Sequence, residues 1–273
     1  MQDSMVKVAT VPAFKDNYLW VIHNDTHAAV VDPGDATPII DFLGAHQLQL
    51  AAILTTHHHA DHVGGVEALL DFYQLAGDIP VYGPAHERIP ARTVSLTENE
   101  VVAIKELGIN FNVIDVPGHT AGHIAYYAKN EGWLFCGDTL FACGCGRLFE
   151  GTAEQMQSSL AKLKALPPAT HVFCAHEYTM ANIKFALAVE PDNLALQQRA
   201  KTDAAKREKN IPTVPFTIEN EIATNPFMRW DSPAVVNVAN MKARSRGGVS
   251  SKNLSNSTPV LVFAEIREWK NNF

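Results

Sequence analysis

The stretch Ala51-Ala52-Ile53-Leu54-Thr55-Thr56-His57-His58-His59-Ala60-Asp61-His62-Val63 decides how this chain is read. It leaves an apolar run, Ala51 to Leu54, that reads as a buried strand. It enters a segment, Asp61 to Tyr73, in which Val63, Val66, Leu69, Leu70 and Tyr73 recur at helical spacing. The histidines therefore sit where a strand stops and a helix starts. In an extended loop alternate side chains share a side, so His57 and His59 point together and His58 points away, while Asp61 and His62 project from the helix start. Imidazole and carboxylate are borderline-hard donors suited to zinc, iron or manganese. One short segment can thus offer two donors to each of two ions, and the rest of both coordination spheres must come from farther along the chain.

Three further ligand-type residues stand at the ends of later strand candidates: His119 in Pro117-Gly118-His119-Thr120, Asp138 in Cys136-Gly137-Asp138-Thr139, and His176 in Cys174-Ala175-His176-Glu177. Strand ends are where loops gather into a site. His23, His27, His46, His86 and His171 are scattered and read as surface or satisfied core residues. His58 and His123 read as hydrogen-bonding supports, and Cys143 and Cys145 as packing residues.

Around the histidine run the pattern alternates. Val6 to Val11, Tyr18 to His23 and Ala28 to Asp32 read as strands, the last stopped by Pro33-Gly34, and Pro38 to His46 as a helix. Strands are also expected at Ile79 to Tyr82, Val101 to Ile104, Asn112 to Val116, Ile124 to Ala128, Trp133 to Cys136 and His171 to Ala175. Thr152 and Gln155 form a capping-box signature ahead of the apolar stripe Met156, Leu160, Leu163. Beyond His176 helical patterns take over at Met180 to Val189, Leu194 to Lys209 and Val260 to Lys270, which places a domain boundary after residue 176, between a strand-and-helix domain over 1–176 and a helical domain over 177–273. Ser245 to Ser257, rich in Ser, Asn and Gly, reads as a mobile loop.

A chain of 273 residues, 47% hydrophobic and 19% charged, has length enough for a large domain with a smaller companion. It contains no apolar run near the roughly 18 residues of a membrane span. A net charge of −7 argues against nucleic acid as a partner, since that needs a basic face, but leaves room for local cations around a small anion. Four cysteines without a Cys-x-x-Cys pair, and a start that lacks secretory features, lead us to expect reduced thiols and a cytoplasmic location. A monomer is the expected state, although no sequence feature fixes it.

These residues resemble the metallo-β-lactamase superfamily, through Val30-Val31-Asp32-Pro33-Gly34 and His57-x-His59-x-Asp61-His62. Within it the chain is similar to glyoxalase II, the hydroxyacylglutathione hydrolases, over nearly its whole length. That narrower likeness rests on Gly144-Cys145-Gly146-Arg147-Leu148-Phe149-Glu150-Gly151-Thr152, His176-Glu177-Tyr178-Thr179, Asn225-Pro226-Phe227-Met228-Arg229 and Arg267-x-x-Lys270. The resemblance implies a four-layer αβ/βα sandwich of two mixed sheets with a smaller C-terminal helical domain. It also implies two divalent metal ions, zinc first with iron or manganese as alternatives. His57, His59 and His119 would hold one, Asp61, His62 and His176 the other, and Asp138 would bridge them. Asp61 and Asp138 would be the catalytic carboxylates beside a metal-bridging hydroxide. Arg147, Tyr178, Asn182, Arg267 and Lys270 would bind the peptide of a glutathione thioester, with the arginines suited to carboxylate. The implied reaction is hydrolysis of S-(2-hydroxyacyl)glutathione, typically S-D-lactoylglutathione to D-lactate and glutathione, the second step of methylglyoxal detoxification. Arg147 stands where some family members have Lys, and Phe149 where some have Tyr. The rival readings are a persulfide dioxygenase with a single iron, a lactonase or β-lactamase, and a non-catalytic metal-binding protein.

Overall fold

The computed structural model describes residues 5–74, 77–245 and 258–273, so all but the first residue of the Ser245 to Ser257 loop lies outside the described residues. The chain divides into two compact units. One comprises Met1–Asp115, Thr120–Gly137 and Phe173–His176; the other comprises Val116–His119, Asp138–Val172 and Glu177–Phe273.

The first unit holds a sheet of six strands that are neighbours in chain order: Lys7–Ala13, Asn17–His23, His27–Val31, Gln49–Leu54, Val81–Pro84 and Val94–Leu96. The first three pair antiparallel and the rest parallel. Strand Asn17–His23 shows why both faces are covered. Leu19 and Val21 join a core cluster with Ile39 and Leu43 of helix Ala36–His46 and with Val66 and Leu69 of helix Val66–Phe72. Trp20 points the other way, edge-on to Phe173 at 5.1 Å, with its indole N–H donating to Cys174 O at 3.1 Å. Phe173 belongs to a second sheet, in which Phe135 stacks on it at 4.8 Å and Phe111 meets Phe135 at 6.0 Å. That sheet takes antiparallel neighbours Val101–Ile104, Ile109–Asp115, Ile124–Ala128 and Trp133–Gly137, then His171–Cys174. A side chain the size of Trp20, 2% exposed, gives up about 3–5 kcal/mol when truncated to alanine.

The single helix expected over Asp61 to Tyr73 is two, Ala60–Val63 and Val66–Phe72, broken at Gly64-Gly65. Gly65 N–H donates to Pro33 O at 2.9 Å, and a Cβ on Gly65 would lie 2.5 Å from Ala36 N. Gly34 returns the close approach, since a Cβ there would lie 1.9 Å from Asp61 O. The two glycines let the Pro33-Gly34 turn nest against the histidine loop. Helix Ala36–His46 starts two residues before Pro38, because Asp35 caps it by accepting from Thr37 N at 2.9 Å. Strand Val94–Leu96 had no counterpart in the sequence pattern, as three residues are too few to show alternation.

In the second unit, Thr152 and Gln155 form the expected capping box on helix Ala153–Lys164, and Met156, Leu160 and Leu163 are buried. Helices Thr179–Val189, Leu194–Arg207, Ile218–Thr224, Pro233–Ser245 and Pro259–Asn271 follow. Phe185 organises their aromatic core, with Phe227 stacked at 5.9 Å and Trp269 edge-on at 5.1 Å. Two-residue strands Leu140–Phe141 and Gly144–Cys145 make a hairpin, and Phe216–Thr217 pairs with His171 and Val172. Among the described residues no helix is long and apolar enough to cross a membrane.

Candidate active site

The histidine loop is hung from Asp32. That residue is buried and left-handed (φ 50°), and its carboxylate accepts from Thr56 N and Thr56 Oγ1, both at 2.7 Å. Because Thr56 Oγ1 donates to Asp32, it accepts from His57 Nδ1 at 3.1 Å, which leaves the lone pair on His57 Nε2, 3.2 Å from His59 Nδ1. His176 is fixed in the same sense. Its Nδ1–H donates to Asp16 Oδ1 at 2.9 Å, and its Nε2 lies 3.4 Å from Asp61 Oδ2. Asp61 Oδ2 also accepts from Asn17 Nδ2 at 3.0 Å and lies 3.6 Å from His62 Nε2. One donor atom from each of Asp61, His62 and His176 lies within 4.8 Å of the others. Two donors on one cation, each about 2.0–2.2 Å away, stand about 3.3 Å apart, so these spacings would let the three residues share an ion.

His58 and His123 behave as supports. His58 turns away, its N–H donating to Glu87 Oε2 at 2.6 Å and its Nδ1 at 2.9 Å, and Glu87 also accepts from Gly122 N and Thr120 Oγ1. His123 stacks on His57 at 4.5 Å while its Nδ1 donates to Ile124 O at 3.0 Å. Asp16, Asn17 and Glu87 are site residues that sequence reasoning missed. The only available signal was that Asp16-Asn17 falls in a turn between two strand candidates, which carries no chemistry by itself.

The second unit holds His119 and Asp138. His119 Nδ1–H donates to Arg147 O at 2.9 Å, so Nε2 offers its lone pair toward Asp138 Oδ2, 3.4 Å away. Both line a cleft of about 470 Å³, with Phe141, Cys145, Arg147, Phe149, Tyr178, Ala181, Asn182, Arg267 and Lys270. All five residues expected to bind substrate are therefore brought to this cleft. They differ in exposure and in what already engages them. Arg147 is exposed, and Tyr178 is 38% exposed with its ring edge-on to Phe141 at 5.3 Å. Asn182 is buried and donates to Ala142 O at 3.1 Å; Arg267 is buried and donates to Cys145 O at 3.0 Å and Asn271 Oδ1 at 3.1 Å. Lys270 is half-buried and donates to Ala181 O at 3.2 Å. Burial first, then the neighbouring Arg267, lowers its pKa to about 8. Burial pushes the Cys143 thiol up to about 12 and raises that of Cys145, so neither thiol is a ready thiolate.

Residues 14–176 match the model of the metallo-beta-lactamase superfamily, and residues 177–273 match that of the hydroxyacylglutathione hydrolase C-terminus. A hydroxyacylglutathione hydrolase of Nitrosomonas eutropha is 51% identical over 98% of this chain and 100% of its own length. Among solved structures, BLEG-1 B3 metallo-beta-lactamase is similar with a TM-score of 0.60 and 26% identity, over 81% of this chain and 99% of that one. TTHA1623 in a di-iron-bound form is similar with a TM-score of 0.50 and 28% identity, over 62% of this chain and 91% of that one. The two six-stranded sheets and the His/Asp cluster, a donor set for divalent metal ions, define a metal-dependent enzyme of the metallo-beta-lactamase superfamily. Within it the chain belongs to the hydroxyacylglutathione hydrolases, and it is a thioester hydrolase.

Proposed function

We propose that the chain hydrolyses S-(2-hydroxyacyl)glutathione, with S-D-lactoylglutathione as its main substrate, at a centre of two divalent cations, as the second step of methylglyoxal detoxification. The observation that carries this reading is the cleft of the second unit, where the ligand-type pair His119 and Asp138 shares one wall system with Arg147, Arg267 and Lys270. Glutathione carries two carboxylates, and three cations in one cleft suit that charge. We assign His57, His59 and His119 to one cation, Asp61, His62 and His176 to the other, and Asp138 to both. The orientations of His57, His119 and His176, each with Nδ1–H engaged and Nε2 presented, support that assignment. Zinc suits this donor set, as do iron and manganese; the di-iron form of TTHA1623 favours keeping iron in view.

When bound, two such cations would lower the pKa of a shared water toward neutrality and polarise the thioester carbonyl. The chain's own residues then hold the substrate so that its thioester carbon lies near His119 and Asp138 while its carboxylates meet Arg147, Arg267 and Lys270. Asp61 and Asp138 are the carboxylates able to take a proton beside the reacting carbon. A thiolate leaves without a strong general acid. We place the functional division after His176, with residues 1–176 supplying the metal ligands and 177–273 most of the peptide contacts, in a cytoplasmic monomer. The test is release of thiol from S-D-lactoylglutathione by protein of known metal content. Stoichiometric thiol and D-lactate support the reading. Oxygen uptake with glutathione persulfide and no thiol release would replace it with the dioxygenase.

A further inference from the structure

The wall of the cleft that bears Phe141 and Cys145 is the hairpin Leu140–Cys145, two strands of two residues each. So short a hairpin has almost no ladder of its own, and Cys143 at its tip is left-handed (φ 55°) without being glycine. Side chains from the helical part of the same unit take up its backbone groups. Cys143 N–H donates to Glu221 Oε2 at 2.8 Å, and the Asn225 amide donates to Gly144 O at 2.9 Å and Phe141 O at 3.3 Å. Asn225 and Glu221 are linked by a third bond, Nδ2 to Oε2, at 2.8 Å. Both are fully buried. Glu221 in turn is fixed by Arg199, whose Nη1 lies 2.6 Å from Oε1 and 2.7 Å from Thr224 Oγ1. The Cys143 side chain packs on Ile183, Ala186 and Leu196, which explains why a residue larger than glycine occupies the strained tip.

We propose that Glu221 and Asn225, braced by Arg199, are positioning residues that hold this hairpin as the substrate-facing wall of the cleft and thereby set the affinity for the glutathione thioester. None of the three lines the cleft, so they act through Phe141 and Cys145 rather than by touching substrate. A buried ion pair contributes little net stability when replaced as a pair, whereas one left without its partner costs several kcal/mol. The pair can therefore be removed together while its hydrogen bond to the hairpin is varied. The inference rests on the glutathione-thioesterase reading for its kinetic consequence only.

The experiment compares R199M/E221L with R199M/E221Q. The two have the same charge and similar volume, but only the glutamine carbonyl can accept from Cys143 N–H. In the leucine version KM for S-D-lactoylglutathione should rise about tenfold or more with kcat within about twofold, and backbone amides over 140–145 should exchange hydrogen faster. In the glutamine version KM should return to within about threefold of the parent and exchange should slow again. Equal KM and equal exchange in the two versions would overturn the proposal, as would a fall in kcat with KM unchanged. Should the leucine version not fold, Asn225→Ala is put through the same two readouts with the same criteria. If the parent hydrolyses no glutathione thioester, the functional reading fails, and hydrogen exchange alone still decides whether the clamp holds the hairpin.

Discussion

Lys270 offers a perturbation whose size and pH dependence both follow from its surroundings. Its ammonium lies half-buried in the cleft, over the Phe185 ring at 5.0 Å, beside the buried Arg267. A charge-assisted hydrogen bond to a substrate carboxylate is worth about 1.5–3 kcal/mol when desolvated and under about 1 kcal/mol when exposed. Half burial places Lys270 between these, near 1.4 kcal/mol, so Lys270→Ala should raise KM about tenfold with kcat little changed. The lowered pKa fixes the sign of the pH effect: the cation is present below about 8 and is lost as pH rises through that value. From about 90% charged at pH 7 it falls to about 10% at pH 9, so the parent's KM should climb toward that of the alanine variant over this range. Lys270→Arg keeps its charge throughout and should show no such climb. Initial rates of thiol release from S-D-lactoylglutathione between pH 6.5 and 9.5, corrected for spontaneous hydrolysis, give all three profiles, a range of about 1.5 pH units on either side of the lysine pKa. Superimposable KM profiles for the parent and the arginine variant would refute the reasoning.

Asp32→Ala removes the acceptor of two buried charge-assisted bonds from Thr56, a loss of about 4 kcal/mol that should lower Tm by roughly 10 °C. Asp32→Asn, whose side chain tolerates a left-handed backbone, should cost about half as much, and an alanine variant melting within about 2 °C of the parent would contradict this. Asp16→Ala leaves the His176 ring without the carboxylate on Nδ1 and should weaken metal binding about 10- to 100-fold in a chelator competition. Unchanged affinity there would mean that Asp16 does not orient the ring.

The candidate ligand residues stood out because they follow strands whose apolar pattern is strong: Leu54 before the histidine loop, Cys136 before Gly137-Asp138, Cys174 before His176. Their supports were not. Asp16 meets His176 across 160 residues and Glu87 meets His58 across 29, and no local periodicity encodes such pairings. The helix break at Gly64-Gly65 was hidden because its cause is the approach of Pro33 O, a tertiary contact. Helix Pro233–Ser245 buries only the sparse stripe Val235, Ala239, Ala243, and helix Ile218–Thr224 is seven residues long with Asn220 where a capping box more often has Glu or Gln. Asn182 and Arg267 line the cleft, but their hydrogen bonds to Ala142 O and Cys145 O are invisible in the sequence without the hairpin they hold.

The central claim is that one catalytic unit needs both cations, held by His57, His59, Asp61, His62, His119, Asp138 and His176. Metal-depleted protein titrated with zinc, with bound metal per chain and turnover of S-D-lactoylglutathione measured on the same samples, tests it most directly. The account predicts that turnover approaches its maximum only as bound metal approaches two per chain, and that Asp138→Ala loses metal and turnover together. Full turnover at one metal per chain, or an Asp138→Ala protein that keeps both, would contradict it.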